Sequence, residues 1–172
     1  MSDDRPLLST ARFDIVERSY RSPDGALHRR AIVLHPGAVT ILPVFDDGRI
    51  CLIRNFRPAI GRELFELPAG TLEPGEAPLA TATRELEEET GYVAASIEPL
   101  REFWMSPGIL NERMHLFLAR GLRPGKAALD AGEIVAPYIV AREEALAMVA
   151  DGRIEDAKSL VGLLCYERFL SR

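Results

Sequence analysis

A helix-forming segment near the middle of the chain constrains the fold more than any other feature of the sequence. Residues 77–90 change from the alternating pattern of the preceding segments to a helical period, with charged residues on the remaining positions of the helical wheel. The apolar residues at this spacing are Leu79, Ala82 and Leu86. Pro78 suits the first turn of a helix and Gly91 suits its C-terminal cap, so the sequence predicts one helix that ends before residue 91.

Strand-like segments surround this helix. Residues 13–34 alternate on both sides of the turn-forming Ser22-Pro23-Asp24-Gly25, which predicts a β-hairpin. A second hairpin is predicted at residues 38–44 and 49–55, around Asp46-Asp47-Gly48. Later strands are expected at 98–105, 114–119 and 135–140, and later helices at 142–151 and 157–170.

Strands interrupted by one helix and closed by two more predict an α/β or α+β sandwich with a mixed sheet. The 172 residues favour one main domain. His35-Pro36-Gly37 interrupts the strand pattern, so we divide the chain into an N-terminal β-hairpin region, residues 1–36, and a main domain, residues 37–172.

Composition narrows the class of protein. The chain has 21 Lys and Arg against 26 Asp and Glu, a net charge of −5, which argues weakly against coating a polyanion. Its apolar stretches are shorter than the ~20 residues that span a bilayer. The acidic N-terminus lacks the apolar core of a secretion signal, and Cys51 and Cys165 lie outside any zinc or CxxC spacing. These features predict a cytoplasmic protein with reduced thiols and no nucleic-acid or membrane partner.

The predicted helix carries an unusual acidic face. Glu85, Glu88 and Glu89 stand at i, i+3 and i+4, which places three carboxylates side by side. One interpretation is a solvated face, partly relieved by an Arg84 to Glu88 pair at i+4. The other is a cation site, because clustered hard oxygen ligands suit Mg²⁺ or Mn²⁺.

The whole segment resembles the Nudix box, G-x5-E-x7-R-E-U-x-E-E-x-G-U, where U is apolar. The match covers every fixed position, with Tyr92 as a soft match at the final apolar site; the matching residues are Gly70, Glu76, Arg84, Glu85, Leu86, Glu88, Glu89 and Gly91. Membership of the Nudix hydrolase family would imply an α/β/α sandwich around the mixed sheet, with the N-terminal hairpin beside it.

The resemblance also implies roles for the box residues. Glu85 and Glu89 would be the catalytic carboxylates and principal ligands of divalent cations, Mg²⁺ with Mn²⁺ as the alternative. Glu88 and the backbone carbonyl of Ala69 would complete the metal site. The role implied for Arg84 and Glu76 is structural, a salt bridge that orients the loop onto the helix.

Segments on both sides of the box are similar to those of ADP-ribose pyrophosphatases: residues 53–58, 63–70 and Ser106-Pro107-Gly108. By this resemblance Glu112 faces the metal cluster and acts as the catalytic base for the attacking water, or helps to hold that water. Arg57 would bind the diphosphate or the adenine end of the substrate, and Arg54 is a weaker substrate-binding candidate. Without the resemblance, each of these three could be an ordinary surface charge.

The expected activity is therefore Mg²⁺-dependent hydrolysis of ADP-ribose to AMP and ribose 5-phosphate. One alternative is a pyrophosphatase for another nucleotide sugar, such as GDP-mannose. A second is a Nudix-fold module that senses a nucleotide without cleaving it. The resemblance also implies a homodimer in which the N-terminal hairpin crosses to the neighbouring subunit and helps to wall its nucleotide site.

Overall fold

The computed structural model describes residues 4–129 and 134–170. The strands of this part of the chain are β1 (Asp4–Ser9), β2 (Asp14–Arg21), β3 (Leu27–Leu34), β4 (Ala38–Val44), β5 (Ile50–Arg57), β6 (Arg62–Glu66), β7 (Ala69–Thr71), β8 (Tyr92–Val93), β9 (Ser96–Trp104), β10 (Arg113–Arg120), β11 (Arg123–Pro124) and β12 (Val135–Val140). Its helices are α1 (Pro78–Thr90), α2 (Arg142–Ala150) and α3 (Ala157–Phe169).

The central sheet is mixed, as the sequence predicted. Its strand order is β12-β5-β4-β10-β9, with β6 paired to β5 and β7 paired to β4. Strands β4 and β10 run parallel, whereas the other pairs in this sheet are antiparallel. Tyr92–Val93 and Arg123–Pro124 form a separate two-stranded sheet beside it.

Helices cover both faces of this sheet. Strand β4 is buried along its whole length, and its side chains alternate between the two faces. Val39 and Ile41 pack in one apolar cluster with Leu86 of α1. Leu42 and Val44 belong to the other cluster, to which α2 and α3 contribute Met148 and Leu163 among others. The expected α/β/α sandwich is therefore confirmed.

Helix α1 begins and ends where the sequence predicts. Pro78 occupies its first turn, where a missing N–H costs no hydrogen bond. Gly91 caps the C-terminus with φ 72°, and its N–H donates to the carbonyl of Glu87. A left-handed backbone of this kind favours glycine, so the box glycine terminates the helix.

The N-terminal region is a three-stranded sheet, β1-β2-β3, rather than the two-stranded hairpin that the sequence predicts. The additional strand β1 pairs with β2 through an irregular register between Pro6 and Leu8. Arg18 of β2 holds it with two hydrogen bonds to Asp4, of 2.8 and 2.6 Å. The hairpin of residues 13–34 is present within this larger sheet.

Two remaining expectations concern membranes and cysteines. No helix in the described ranges is long and apolar enough to cross a membrane. Cys51 and Cys165 are both free thiols, and burial raises the pKa of Cys51 to about 12. Such a thiol stays protonated near neutral pH, so Cys51 is a core residue and not a nucleophile.

Candidate active site

A cavity of about 410 Å³ opens between α1, the β7–α1 loop and the end of β5. Its walls are strongly charged. The acidic residues that line it are Glu73, Glu85, Glu88 and Glu89, and the basic residues are Arg12, Arg57 and Arg84. Ala69 and Gly70 contribute backbone to the same wall. The helix face predicted to be acidic therefore faces a cavity rather than open solvent.

Gly70 makes room for Glu85. A Cβ atom built on Gly70 would lie 1.9 Å from the carboxylate Cδ and Oε1 of Glu85, closer than any real contact. Strand β7 reaches this position because it pairs antiparallel with β4, with Gly70 opposite Val39. Any larger residue at position 70 would displace the Glu85 carboxylate, which explains in physical terms why the box begins with glycine.

Glu89 is the most buried carboxylate of the cavity, with 4% of its surface exposed. Its Oε2 accepts a hydrogen bond of 2.8 Å from the backbone N–H of Ala69. A carboxylate held by a backbone donor has a fixed orientation, because the donor cannot rotate away. This bond ties the box helix to β7, the strand on which the box begins.

Arg84 connects the remaining box carboxylates. Its Nη1 donates to Glu85 at 2.8 Å and to Glu88 at 2.9 Å. Its Nε and Nη2 donate to the two carboxylate oxygens of Glu76, at 3.3 and 3.1 Å. The bonds to Glu76 contribute most to raising the pKa of Arg84, and the same bonds lower the pKa of Glu76. The Arg84–Glu76 bridge expected from the resemblance and the Arg84–Glu88 pair of the alternative interpretation are therefore both present.

The donor set suits a hard divalent cation. Glu85, Glu88 and Glu89 present carboxylate oxygens to one cavity, which is the chemistry that Mg²⁺ and Mn²⁺ prefer. Across residues 4–129 and 134–170, however, no group of three His, Cys, Asp or Glu side chains is arranged to hold a metal ion. In this arrangement Arg84 donates hydrogen bonds to both Glu85 and Glu88. Binding a cation at this place would exchange these Arg84 contacts for metal contacts.

A buried carboxylate, that of Glu66, anchors the guanidinium of Arg57. Its Nε and Nη2 donate to the two carboxylate oxygens of Glu66, at 2.8 and 2.5 Å, and this pairing raises the pKa of Arg57. Glu66 is fully buried and also accepts from Lys158 at 2.5 Å. Lys158, itself 5% exposed, reaches Asp156 at 2.9 Å. We call these four residues the Glu66 network.

Sequence reasoning missed the roles of Glu66 and Lys158. The two residues are 92 positions apart, and only the packing of α3 against the end of β6 brings them together. Asp156 caps α3 by accepting from the Ser159 N–H at 3.0 Å, and the Ser159 hydroxyl accepts from the Leu67 N–H at 2.7 Å. A sequence signal was present, because Glu66 follows the apolar pair Leu64-Phe65 and precedes Leu67 in a strand-like segment.

Two of the predicted catalytic and substrate-binding residues do not line the cavity. Glu112 is half-buried just before β10, and its carbonyl accepts from the Met105 N–H at 3.2 Å, but it is not among the lining residues. Arg54 is exposed on β5 and does not line the cavity either. The cavity does bring together Arg57, Ala69 and the three box carboxylates.

The loop that carries Glu112 is tied to the N-terminal sheet. The N–H of Val33 donates to the carbonyl of Ile109 at 3.0 Å, and the N–H of Asn111 donates to Val33 at 3.2 Å. The side-chain oxygen of Asn111 accepts from the His35 N–H at 2.7 Å. Strand β3 therefore sets the position of the loop.

Comparison with known proteins shows the family of the chain. The NUDIX domain family model matches residues 34–161. The chain is 43% identical to the ADP-ribose pyrophosphatase of Bacillus subtilis over 148 residues, covering 85% of this chain and 80% of that protein. It is 39% identical to the methanol dehydrogenase activator of Bacillus methanolicus, over 82% and 77% of the two chains. It is 35% identical to the GDP-mannose pyrophosphatase of Yersinia enterocolitica, over 73% and 70%.

Among solved structures, the chain is similar to one described as an ADP compounds hydrolase. The TM-score is 0.86, and the match covers 98% of this chain and 91% of the other. At 22% identity this similarity concerns the fold alone.

Proposed function

The chain belongs to the NUDIX family, and from that premise we propose that it is a nucleoside diphosphate sugar pyrophosphatase that hydrolyses ADP-ribose to AMP and ribose 5-phosphate. One observation carries the proposal: the carboxylates of a complete Nudix box line the same cavity as anchored Arg57. A diphosphate ester needs both kinds of group, because cleavage concentrates negative charge on phosphoryl oxygens.

The enzyme depends on a divalent cation, which we propose to be Mg²⁺, with Mn²⁺ as a substitute. Glu85 and Glu89 would hold it, assisted by Glu88 and by the backbone carbonyl of Ala69. When bound, the cation neutralises phosphoryl charge and polarises a water molecule. Arg84 keeps the carboxylates oriented in the absence of the cation, and its bridge to Glu76 fixes the loop throughout.

Arg57 binds the diphosphate in this proposal. Its Nε and Nη2 are engaged by Glu66, which leaves Nη1 and the second Nη2 hydrogen for the substrate. A guanidinium held on one edge by a buried carboxylate is pre-organised, so binding an anion costs little side-chain entropy. Arg54 is a weaker candidate, because it is exposed on β5 and does not line the cavity.

GDP-mannose is the main alternative substrate, in line with the Yersinia relative. A second alternative, a regulatory module, is less consistent with an intact box, because a binder has no need of adjacent carboxylates. A panel of ADP-ribose, GDP-mannose, NADH, diadenosine polyphosphates and 8-oxo-dGTP, scored by kcat/KM, separates these options. A higher kcat/KM for any compound other than ADP-ribose would replace the proposed substrate, and no hydrolysis of the panel would favour the regulatory module.

Glu112 is the proposed proton acceptor for the attacking water, on a loop that hydrogen bonds to β3 hold in place. Glu112→Gln should lower kcat by about a hundredfold with little change in KM, because the base is lost while the cation and substrate contacts remain. Steady-state kinetics at saturating Mg²⁺ measures both constants. The control is Glu98→Gln, an exposed glutamate on β9. An increase in KM with unchanged kcat would make Glu112 a binding residue instead.

We also propose a homodimer that buries the N-terminal sheet. This sheet exposes large apolar side chains, among them Tyr20 at 40% and Leu27 at 55%. Light scattering should give about 38 kDa, twice the 19.0 kDa chain. Tyr20→Glu with Leu27→Glu should shift the protein toward monomer, whereas Leu79→Glu, 49% exposed on α1, should not. A stable 19.0 kDa monomer with full activity would defeat the proposal.

A further inference from the structure

The three arginines of the cavity differ in how far they are already paired. Arg57 is held by Glu66, and Arg84 is shared among three glutamates. Arg12 lines the same cavity, yet within the described ranges its guanidinium makes no ion pair or hydrogen bond. Among the three cavity arginines of the described residues, Arg12 is therefore the one whose guanidinium donors are all available for a ligand.

Arg12 lies on a closed turn. Residues 10–13 connect β1 to β2, and the N–H of Thr10 donates to the carbonyl of Phe13 at 3.1 Å. The Thr10 hydroxyl donates to the same carbonyl at 2.7 Å and accepts from the Phe13 N–H at 3.0 Å. The hydroxyl of Ser9 donates to Asp14 at 2.5 Å and closes the base of the turn. The backbone that carries Arg12 is thus fixed by hydrogen bonds.

The cavity carries many negative charges, so an anionic ligand needs an unpaired cation there. Glu73 and the three box carboxylates line it. Without a bound cation, an anionic ligand that enters the cavity is therefore repelled by four carboxylates. Arg84 is already shared by Glu76, Glu85 and Glu88, which reduces the positive charge that it can offer a ligand. Arg12 adds to the wall of the cavity a full positive charge that no carboxylate in the described ranges pairs with.

We propose that Arg12 binds phosphate oxygens of the substrate and does so in cis, in the cavity formed by the box of its own chain. This inference rests on the proposed function, since it takes the ligand to be a nucleoside diphosphate sugar. It also differs from the expectation that the N-terminal region walls the neighbour's site, because the structure lines one chain's cavity with its own residues 11 and 12. Arg12 contacts the phosphates before and during the reaction, so it contributes to KM more than to kcat.

The first test is Arg12→Ala. We expect kcat/KM for ADP-ribose to fall roughly 10- to 100-fold, as for the loss of a charged hydrogen bond, mostly through KM. Arg12→Lys should recover part of the loss. Arg123→Ala, which removes an exposed arginine outside the cavity, is the matched control and should match the wild type.

A binding measurement separates this inference from the proposed function. Calorimetry with ADP-ribose and chelator-treated protein should show a weaker Kd for Arg12→Ala than for the wild type, without any turnover. Equal Kd values, or equal kcat/KM values, would defeat the assignment of Arg12 alone. A wild type that neither binds nor cleaves ADP-ribose would defeat the proposed substrate first.

The second test distinguishes cis from trans. Chains carrying Arg12→Ala and chains carrying Glu89→Gln are unfolded together, refolded as a mixture and assayed. If Arg12 serves its own chain, every site contains one defect, and the mixture is no more active than the average of the two variants. If Arg12 serves the partner, random pairing restores about a quarter of wild-type activity. Such recovery would overturn the cis assignment.

Discussion

Glu85→Gln or Glu89→Gln should lower kcat by about a thousandfold or more while the protein remains folded. Each substitution removes one anionic oxygen ligand, so the proposed cation is held less tightly and in a poorer position. Both residues face the cavity from α1, and the main apolar contact of this helix with the sheet, through Ala82 and Leu86, is untouched. Circular dichroism measures whether the fold is kept, and steady-state kinetics measures kcat. Thermal melting with and without Mg²⁺ measures how tightly the cation is held.

Glu87→Gln is the matched control, since Glu87 lies on the same helix but does not line the cavity. Its Oε1 accepts from the Lys126 N–H, and glutamine can preserve that bond. Mg²⁺ should raise the Tm of the wild type and of this control, because a ligand that binds only the folded state stabilises it. The increase should be absent or smaller in Glu89→Gln. Full activity in either cavity variant would end the metal assignment.

Glu66→Gln should have the largest effect on stability. Glu66 is fully buried and accepts hydrogen bonds from both Arg57 and Lys158. Removing its charge leaves two cations partly uncompensated, although Lys158 keeps Asp156 at 2.9 Å. We expect the free energy of unfolding to fall by about 3 kcal/mol, a Tm decrease of roughly 6–12 °C. Denaturant titration measures the first quantity and calorimetry the second.

Glu66→Gln should also weaken the binding of ADP-ribose. Arg57 loses the carboxylate that fixes its edge, so KM for ADP-ribose should rise even at temperatures where the variant is fully folded. Glu155→Gln supplies the control, because its ion pair with Arg62 is about half exposed on both sides and should contribute less than about 1 kcal/mol. A Glu66→Gln variant as stable as Glu155→Gln would show that the Glu66 network is energetically neutral.

Local patterns predicted most of the fold. Period, caps and turn residues located α1, α2, α3 and the long strands to within a few residues, because each of these signals is carried by neighbouring positions in the chain. Strand β1 was missed because Pro6 lowers the expectation of a strand, and the structure accommodates it beside a register irregularity at the edge of a small sheet. The two-residue strands β8 and β11 are too short to show any period.

In the candidate site, too, local sequence patterns predicted some features, and others depend on tertiary packing. The spacing of the box placed Glu85, Glu88 and Glu89 on one helix face, and the structure places that face in a cavity. The Glu66–Lys158 pair depends on tertiary packing, which no local pattern contains. The same holds for the presence of Arg12 in the cavity.

The parallel pairing of β4 with β10 has a consequence for biosynthesis. The central strand of the sheet, Ala38–Val44, pairs with Met114–Arg120. Its partner strand is synthesised about 76 residues later, which takes roughly 4–15 s at common elongation rates. Until then the ribosome-bound chain exposes one edge of its most apolar strand. A nascent chain halted before residue 113 has no partner for that edge, and it is a natural client for chaperones that shield apolar segments.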